Sequence, residues 1–410
     1  MRTLVIAGEY PWPENSGSRL RLLTVLRGLA RCGPTELFSI VPEGREDFDP
    51  PDESVGLSRV GRIGFDDRPV RGLGLVAALA RSSMPLEAPS RDRARATRAV
   101  ARFMNGQYDL VWYFGIRPWV LVGELDAAPT VLDFDDLEDQ KISARLSVPQ
   151  VPAHGLPANL RRIGGRALSK EEIRRWRTLY RRAGERTSAT AVCSQLDAER
   201  ARRAGVAGVE VIPNGYRWVD EPVGRVTIGT PPTIVFQGTL RYPPNAQAAR
   251  FLVDEIGPAL RQLIPDVRIR LVGLGSPSLS DLSDPPRVAM VGQVADISVE
   301  LADADLVVVP VRFGSGTRVK ILEAFAHRIP VVSTTLGAEG LDVQDGVHLL
   351  LGDTASALAA ACARLLSDPA LRSEVTARAH DLFRERFQRE VVEQLVASYA
   401  RRVVSKDLAS

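Results

Sequence analysis

An apolar run ending in proline, a loop with two glycines and an amphipathic stretch follow one another at 306–327, and this succession constrains the chain more than any other feature. LVVVP at 306–310 reads as a buried strand, Gly314-Ser315-Gly316 as the loop, and Thr317 to His327 as the predicted helix. The first backbone N–H groups of a helix lack partners within it and carry the positive end of its dipole, so a strand, glycine loop and helix start make an anion seat. The glycines allow a ligand close to the backbone. Arg318 and Lys320 fall in the first turn, where cations oppose the dipole, so a bound anion is the natural compensation. Glu323 follows Lys320 by three and Gly316 by seven, which puts it on the same face, within reach of a sugar hydroxyl beside a bound phosphate. An ordinary strand–helix unit with a solvated basic turn has the same pattern, because an isolated glycine motif is weak evidence.

The rest of the chain repeats this grammar. TLVIAGE at 3–9 is a buried strand, the breaker-rich PWPENSGSRL follows, and Leu22, Leu26 and Leu29 give helical spacing up to a stop at Gly33. Ser16 and Gly17 thus sit at the carboxyl edge of a first strand, where open α/β sheets bind ligands. TELFSIVP, YDLVWYFG (108–115), PTVLDFDD (129–136), ATAVCS (189–194) and VEVIPNG (209–215) supply further strands. After the Gly/Pro-rich stretch 221–232, strands at 233–238, 267–273, 287–292, 306–310 and 330–334 alternate with helices at 245–263, near 296–303 and at 354–368. The expectation is two successive doubly wound α/β domains, 1–220 and 221–385, with a last helical stretch, 386–410, long enough to pack back on the first domain.

At 410 residues the chain exceeds what one core usually serves. A net charge of +3 with 25% charged residues gives no support for a nucleic-acid binder or a disordered tail. Lysine occurs only at 141, 170, 320 and 406, so 49 of 53 basic residues are arginine, a bias suggesting a GC-rich bacterial genome. Cys32, Cys193 and Cys362 are widely spaced and odd in number, so they read as core residues of a reducing compartment. With no signal peptide and no long uncharged apolar stretch, the expectation is a cytoplasmic protein. Ten Arg/Lys oppose three Glu from Arg161 to Arg186, which reads either as a solvated helix face or as a basic surface for anionic lipid at the inner face of a membrane. Asp133, Asp135, Asp136, Glu138 and Asp139 close one strand, either as an acid/base or metal site or as the cap of the next helix.

The ordered series FQGTLRYPPNAQAARFLVDEIGPAL, IRLVGLGS, VAMVGQVADISVELADADLVVVPVRFGSGTRVKILEAFAHRIPVVSTTLGAEGL and DGVHLLLGD resembles the donor-binding half of retaining GT-B glycosyltransferases of the glycogen-synthase-like group, glycosyltransferase family 4. YPWPENSGSRLRLLTVLRGLARCG and AVCSQLDAERARRAGVAGVEVIPNGYR fit that group's acceptor half, so the resemblance covers nearly the whole chain. It implies a GT-B fold, two doubly wound Rossmann-like domains facing a cleft, with the acceptor bound in 1–220 and the nucleotide sugar in 221–385. It implies sugar transfer with retention from a nucleotide-diphosphate sugar to an acceptor hydroxyl or other nucleophile, with no obligatory metal or cofactor; neither donor base nor acceptor is specified. The diphosphate would lie at Gly314, Gly316, Thr317 and Arg318 with Lys320 as charge partner, and the ribose at Glu323. Where the family carries its first glutamate, eight residues earlier, this chain has Ser315, a departure at the contact to the transferred sugar.

The family's phosphate-facing Arg and Lys follow the strand that ends at Gly238; here Thr239 and Asn245 stand closest, so Arg241, Arg318 and Lys320 are left to meet the phosphates. Gly292 to Asp296, with Val294, resembles the loop that cups the base, and Ser16-Gly17 the loop that meets the diphosphate from the other domain. The cleft-edge histidine of many relatives is replaced by Ile116-Arg117-Pro118, which leaves the 133–136 carboxylates, Asp136 among them, to serve the acceptor. His327 reads as the cap of the motif helix. A GT-B-fold sugar-nucleotide epimerase and a catalytically silent nucleotide-sugar-binding subunit are the rival readings.

Overall fold

The computed structural model describes residues 1–407 except 45–47, 67–83, 87, 89–91, 124, 126–127, 148–155, 226, 276, 315 and 317, and only the backbone of 147 and 156–164. The chain divides into two units, one of Met1–Asn214 with Val392–Ser410 and one of Gly215–Val391.

The first unit is built on strands β1 (Thr3–Ala7), β2 (Thr35–Pro42), β3 (Arg59–Phe65), β4 (Leu110–Phe114), β5 (Thr130–Phe134), β6 (Ala189–Val192) and β7 (Val209–Val211). They pair in parallel in the order β3-β2-β1-β4-β5-β6-β7. Side chains alternate along a strand, and here both faces are buried: Leu4 and Ile6 join one apolar cluster, Val5 and Ala7 the other. The first cluster takes Trp119 from helix Ile116–Val122, Trp176 and Leu179 from helix Leu156–Gly184, and Ala198 from helix Gln195–Arg203. The second takes Leu22, Leu26 and Leu29 from helix Gly17–Ala30, and Val392, Val396, Tyr399, Ala400 and Val403 from helix Arg389–Asp407.

The second unit carries β8 (Thr233–Gln237), β9 (Arg268–Val272), β10 (Val288–Gly292), β11 (Leu306–Val309), β12 (Val331–Ser333) and β13 (Leu350–Leu351), parallel in the order β10-β9-β8-β11-β12-β13. Both sheets therefore reverse their winding beside their first strand, between β1 and β4 and between β8 and β11. The carboxyl ends of strands at such a reversal are where open α/β sheets receive ligands.

Several boundaries differ from expectation for identifiable reasons. The motif helix runs Val319–Ala326, two residues late, because Arg318, at φ −83° and ψ 85°, is outside the helical region and caps it. His327 caps it as expected, and the left-handed residue that follows is Arg328 at φ 55°. The helix expected at 245–263 starts at Pro243 and carries a wider π-type turn over Phe251–Ile256. Strands β3 and β13 escape a reading by apolar runs, since RVGRIGF is broken by arginine and glycine and β13 is two residues long. The three cysteines are free. On the basic helix, Arg174 and Arg175 pair with Glu171, Arg177 with Asp139 and Arg181 with Glu185; Arg174, Arg177 and Arg181 are exposed, whereas Arg175 and Asp139 are buried. No helix among the described residues is long and apolar enough to cross a membrane.

Candidate functional site

The reversal of the second sheet gathers side chains from four segments. β8 ends in Gln237 and is followed by Gly238; helix Pro243–Arg250 brings Asn245; the motif helix brings Lys320 and Glu323; and Tyr216 comes from the start of the unit. Lys320 Nζ donates to Asn245 Oδ1 at 2.9 Å and lies over the Phe236 ring, 4.4 Å from its centre. Gly238 makes room for this arrangement. A Cβ there would stand 3.0 Å from Lys320 Nζ and 2.9 Å from Asn245 Nδ2, and its φ of 146° is strained for any other residue. Glu323 is held at both oxygens, Oε1 accepting from Tyr216 Oη at 2.8 Å and Oε2 from Gln237 Nε2 at 3.3 Å. Gln237 Nε2 also donates to Lys320 O at 3.2 Å, so strand and helix are tied together at the turn that carries both charges.

The electrostatics of this cluster follow from burial and from the charges gathered in it. Burial, and then the nearby Arg318 guanidinium, push the Lys320 ammonium down to about 7, with Glu323 acting the other way. Among the described residues no carboxylate lies within 4.0 Å of its nitrogen. Burial raises the Glu323 carboxyl, opposed by its bonds to Tyr216 and Gln237 and by Arg217 and Lys320. Burial also raises the Tyr216 hydroxyl, as do the charge of Glu323 and the bond to it.

The other expected residues of this unit make contacts of their own. Gly314 has its Cβ position 3.2 Å from Arg318 Nη2, so loop and guanidinium lie against each other. Arg318 is the residue before the helix and Gly316 precedes it in the left-handed region; Ser315 and Thr317 lie outside the described residues. Gly292 ends β10 and accepts from Gly273 N at 2.7 Å, while half-buried Val294 and exposed Asp296 follow, Asp296 lying 3.9 Å from Arg217 Nη2. Arg241 is exposed and donates through Nε to Gly275 O at 3.0 Å, so it is leashed to the loop after β9 rather than joined to Lys320. Tyr216 and Gln237 escape sequence reasoning, because what marks them is contact with a residue 107 or 86 positions away.

The first unit has a separate cavity of about 310 Å³ at its own sheet reversal. Gly8 and Glu9 after β1, Gly115 to Pro118 after β4, and Asp135, Asp136 and Glu138 after β5 line it, with Lys141 and Arg19. Ser16 caps helix Gly17–Ala30, its Oγ accepting from Arg19 N at 3.3 Å, and Gly17 is the first helical residue. The acidic strand end divides in two. Asp133 lies wholly in the core, 2.7 Å from Arg21 Nη2, and Asp139 is buried against Arg177 at 2.9 Å. Asp135 and Asp136 face the cavity; Asp136 is 3.1 Å from Lys141 Nζ, whereas the nearest ion pair of Asp135 is with Arg21 at 3.9 Å. Burial, and then the charge of Asp136, raise the Asp135 carboxyl to about 7.

Two parallel-sheet α/β units of this kind match solved GT-B glycosyltransferases along nearly the full chain. HepE of Anabaena, solved with UDP and glucose, is 18% identical with 97% of this chain and 98% of that one covered, at a TM-score of 0.61. Sucrose-phosphate synthase from Thermosynechococcus elongatus is 16% identical, with 99% and 100% covered, at a TM-score of 0.69. The fold is thus that of the GT-B class. Residues 231–368 match the family model of glycosyl transferases group 1, a stretch that holds Gly238, Asn245, Lys320 and Glu323 but not Tyr216. An uncharacterized 44.6 kDa protein in the cps region of Klebsiella pneumoniae is 22% identical over 129 residues, which is 29% of this chain; the chain spans 33% of that relative's length.

Proposed function

We propose that this chain is a retaining glycosyltransferase of the family 4 type that moves a sugar, of hexosyl class, from a nucleotide-diphosphate donor to an acceptor hydroxyl or other nucleophile. The observation that carries this reading is the pairing of Lys320 and Glu323 on one face of the helix at the reversal of the second sheet. The cation and the helix start suit the diphosphate; the carboxylate, fixed by Tyr216 and Gln237, is oriented to accept from ribose hydroxyls. The cavity of the first unit is the acceptor site in this reading, with Asp135 and Asp136 toward the acceptor.

In the reaction, the bond between the anomeric carbon and the diphosphate oxygen breaks while the acceptor oxygen bonds to that carbon on the same face. The acceptor proton passes to a donor phosphate oxygen and the nucleoside diphosphate leaves. Charge grows on the leaving phosphate as the bond opens, so Lys320, Arg318 and the first amides of the motif helix stabilise the transition state more than the ground state. The complex of HepE with UDP makes UDP-sugars the first donors to test.

The test is incubation with UDP-, GDP- and dTDP-sugars and a panel of acceptors, with the anomeric proton coupling of the product read by NMR. Product with the donor's anomeric configuration is expected, and Lys320→Ala lowers turnover by about a hundredfold. Inverted product would refute retention. A new sugar nucleotide formed from donor alone would favour epimerisation, and near-normal turnover in the variant would remove Lys320 from catalysis.

A further inference from the structure

Lys320 is held by neutral groups. Its nitrogen rests over the Phe236 ring and donates to Asn245 Oδ1 at 2.9 Å, while Asn245 Nδ2 donates to Thr239 O at 3.1 Å and so fixes which end of the amide faces the lysine. The charged groups around it are Arg318, two residues earlier, and Glu323, one turn on, whose oxygens are already engaged by Tyr216 and Gln237. β8 offers Phe236 and Gln237, Gly238 follows it, and helix Pro243–Arg250 offers Asn245, all uncharged; Arg217, the cation of the remaining segment, interacts with Tyr216 and Glu323 and lies 3.9 Å from Asp296. The Lys320–Asn245 bond survives loss of the ammonium proton, since a neutral amine still donates. A carboxylate at 245 would instead keep the ammonium charged in every state.

We propose that a nucleoside diphosphate seated beside Lys320 draws a proton onto that lysine, and that Asn245 is the positioning residue that holds its nitrogen where the proton is taken up. This rests on the donor-seat reading above. The proton comes from solvent, the amine becomes the ammonium, and no other bond changes. The depressed titration of Lys320, near 7, supports the idea: at neutral pH the empty seat holds comparable amounts of both forms, and phosphate charge shifts the balance to the ammonium. The sign follows. Nucleotide affinity falls as pH rises above about 7, because more of the binding free energy goes into recharging the lysine.

Calorimetric titration of the full chain with UDP, or with whichever of UDP, GDP and dTDP raises its melting temperature most, tests this in PIPES and in Tris, whose ionisation heats differ. Uptake of about half a proton per nucleotide is expected at pH 7, rising toward one at pH 8. Lys320→Arg, which stays charged, binds without uptake. Asn245→Asp also loses the uptake, binds about tenfold more weakly, and moves the alkaline limb of the kcat/KM profile upward, a readout that a merely structural asparagine would not move. If Lys320→Arg does not fold, the Asn245→Asp comparison carries the test. Equal heats in the two buffers at both pH values overturn the proposal, as does uptake that persists in Lys320→Arg. Failure of every nucleoside diphosphate to bind the unmodified chain overturns the donor reading beneath it.

Discussion

Asp135 is a carboxyl costly to the fold that the proposed function sets toward the acceptor. It lines the cavity of the first unit beside Asp136, and its nearest ion pair, at 3.9 Å, is with an arginine that already serves Asp133. Its carboxyl is raised to about 7, so between about pH 4 and pH 7 the folded chain holds a proton that the unfolded chain releases. The stabilising contribution of this group is complete below about pH 4 and is lost as pH rises through 7. Asp135→Asn is therefore expected to match the parent near pH 4 and to exceed it by about 1–3 kcal/mol at pH 8, read from urea midpoints, with loss of acceptor turnover. A stability difference independent of pH would contradict this. At this scale the sequence marks candidates without ranking them: the cluster 133–139 contains a core ion pair, a cavity pair and a helix anchor, separated by the end of β5 at Phe134, by Arg21 beside Asp133 and by Arg177 beside Asp139 on the next helix.

Helices Gly17–Ala30 and Arg389–Asp407 meet at Gly28, where a Cβ would stand 2.7 Å from Val396 Cβ and 2.8 Å from Glu393 O. Arg31 closes the same contact, Nη2 lying 2.6 Å from Glu393 Oε2. Alanine normally favours a helix over glycine by about 1 kcal/mol, but here the contact has no room for a methyl group. Gly28→Ala is expected to destabilise by about 1–3 kcal/mol in chemical denaturation, and a stabilised variant would show that the two helices can move apart freely. Elements bounded by glycine and proline, such as β1, β8 and β11, are legible because a short apolar run between breakers has few other solutions. β3 is not, since its pairing with β2 rather than its own hydrophobicity makes it a strand. The seat is legible to the same degree: Lys320 and Glu323 sit on one readable helix face, whereas Asn245 and Tyr216 reach them only through the fold.

On the scale of the molecule, the first unit is assembled from both ends of the sequence. Val392, Val396, Tyr399, Ala400 and Val403 are buried in its second apolar cluster, Tyr399 Oη donates to Thr190 O at 3.0 Å, and the Tyr399 ring meets Trp112 edge-on at 6.1 Å. Removing 389–410 strips these groups from one face of the sheet while leaving β8 to β13 complete. The truncated chain is expected to lose cooperative unfolding of the first unit and to yield a protease-resistant fragment near 215–388, identified by mass spectrometry. Survival of a fragment containing 1–214 would show that the helix is dispensable. Because that helix follows the second unit in the sequence, the first unit is begun first but completed only after the second has been made. All of 215–391 is translated before the first unit receives Val392, Val396, Tyr399, Ala400 and Val403, so the growing chain carries an unfinished sheet face while the second unit is made, and a chaperone that shields apolar surface has its longest task at 1–214.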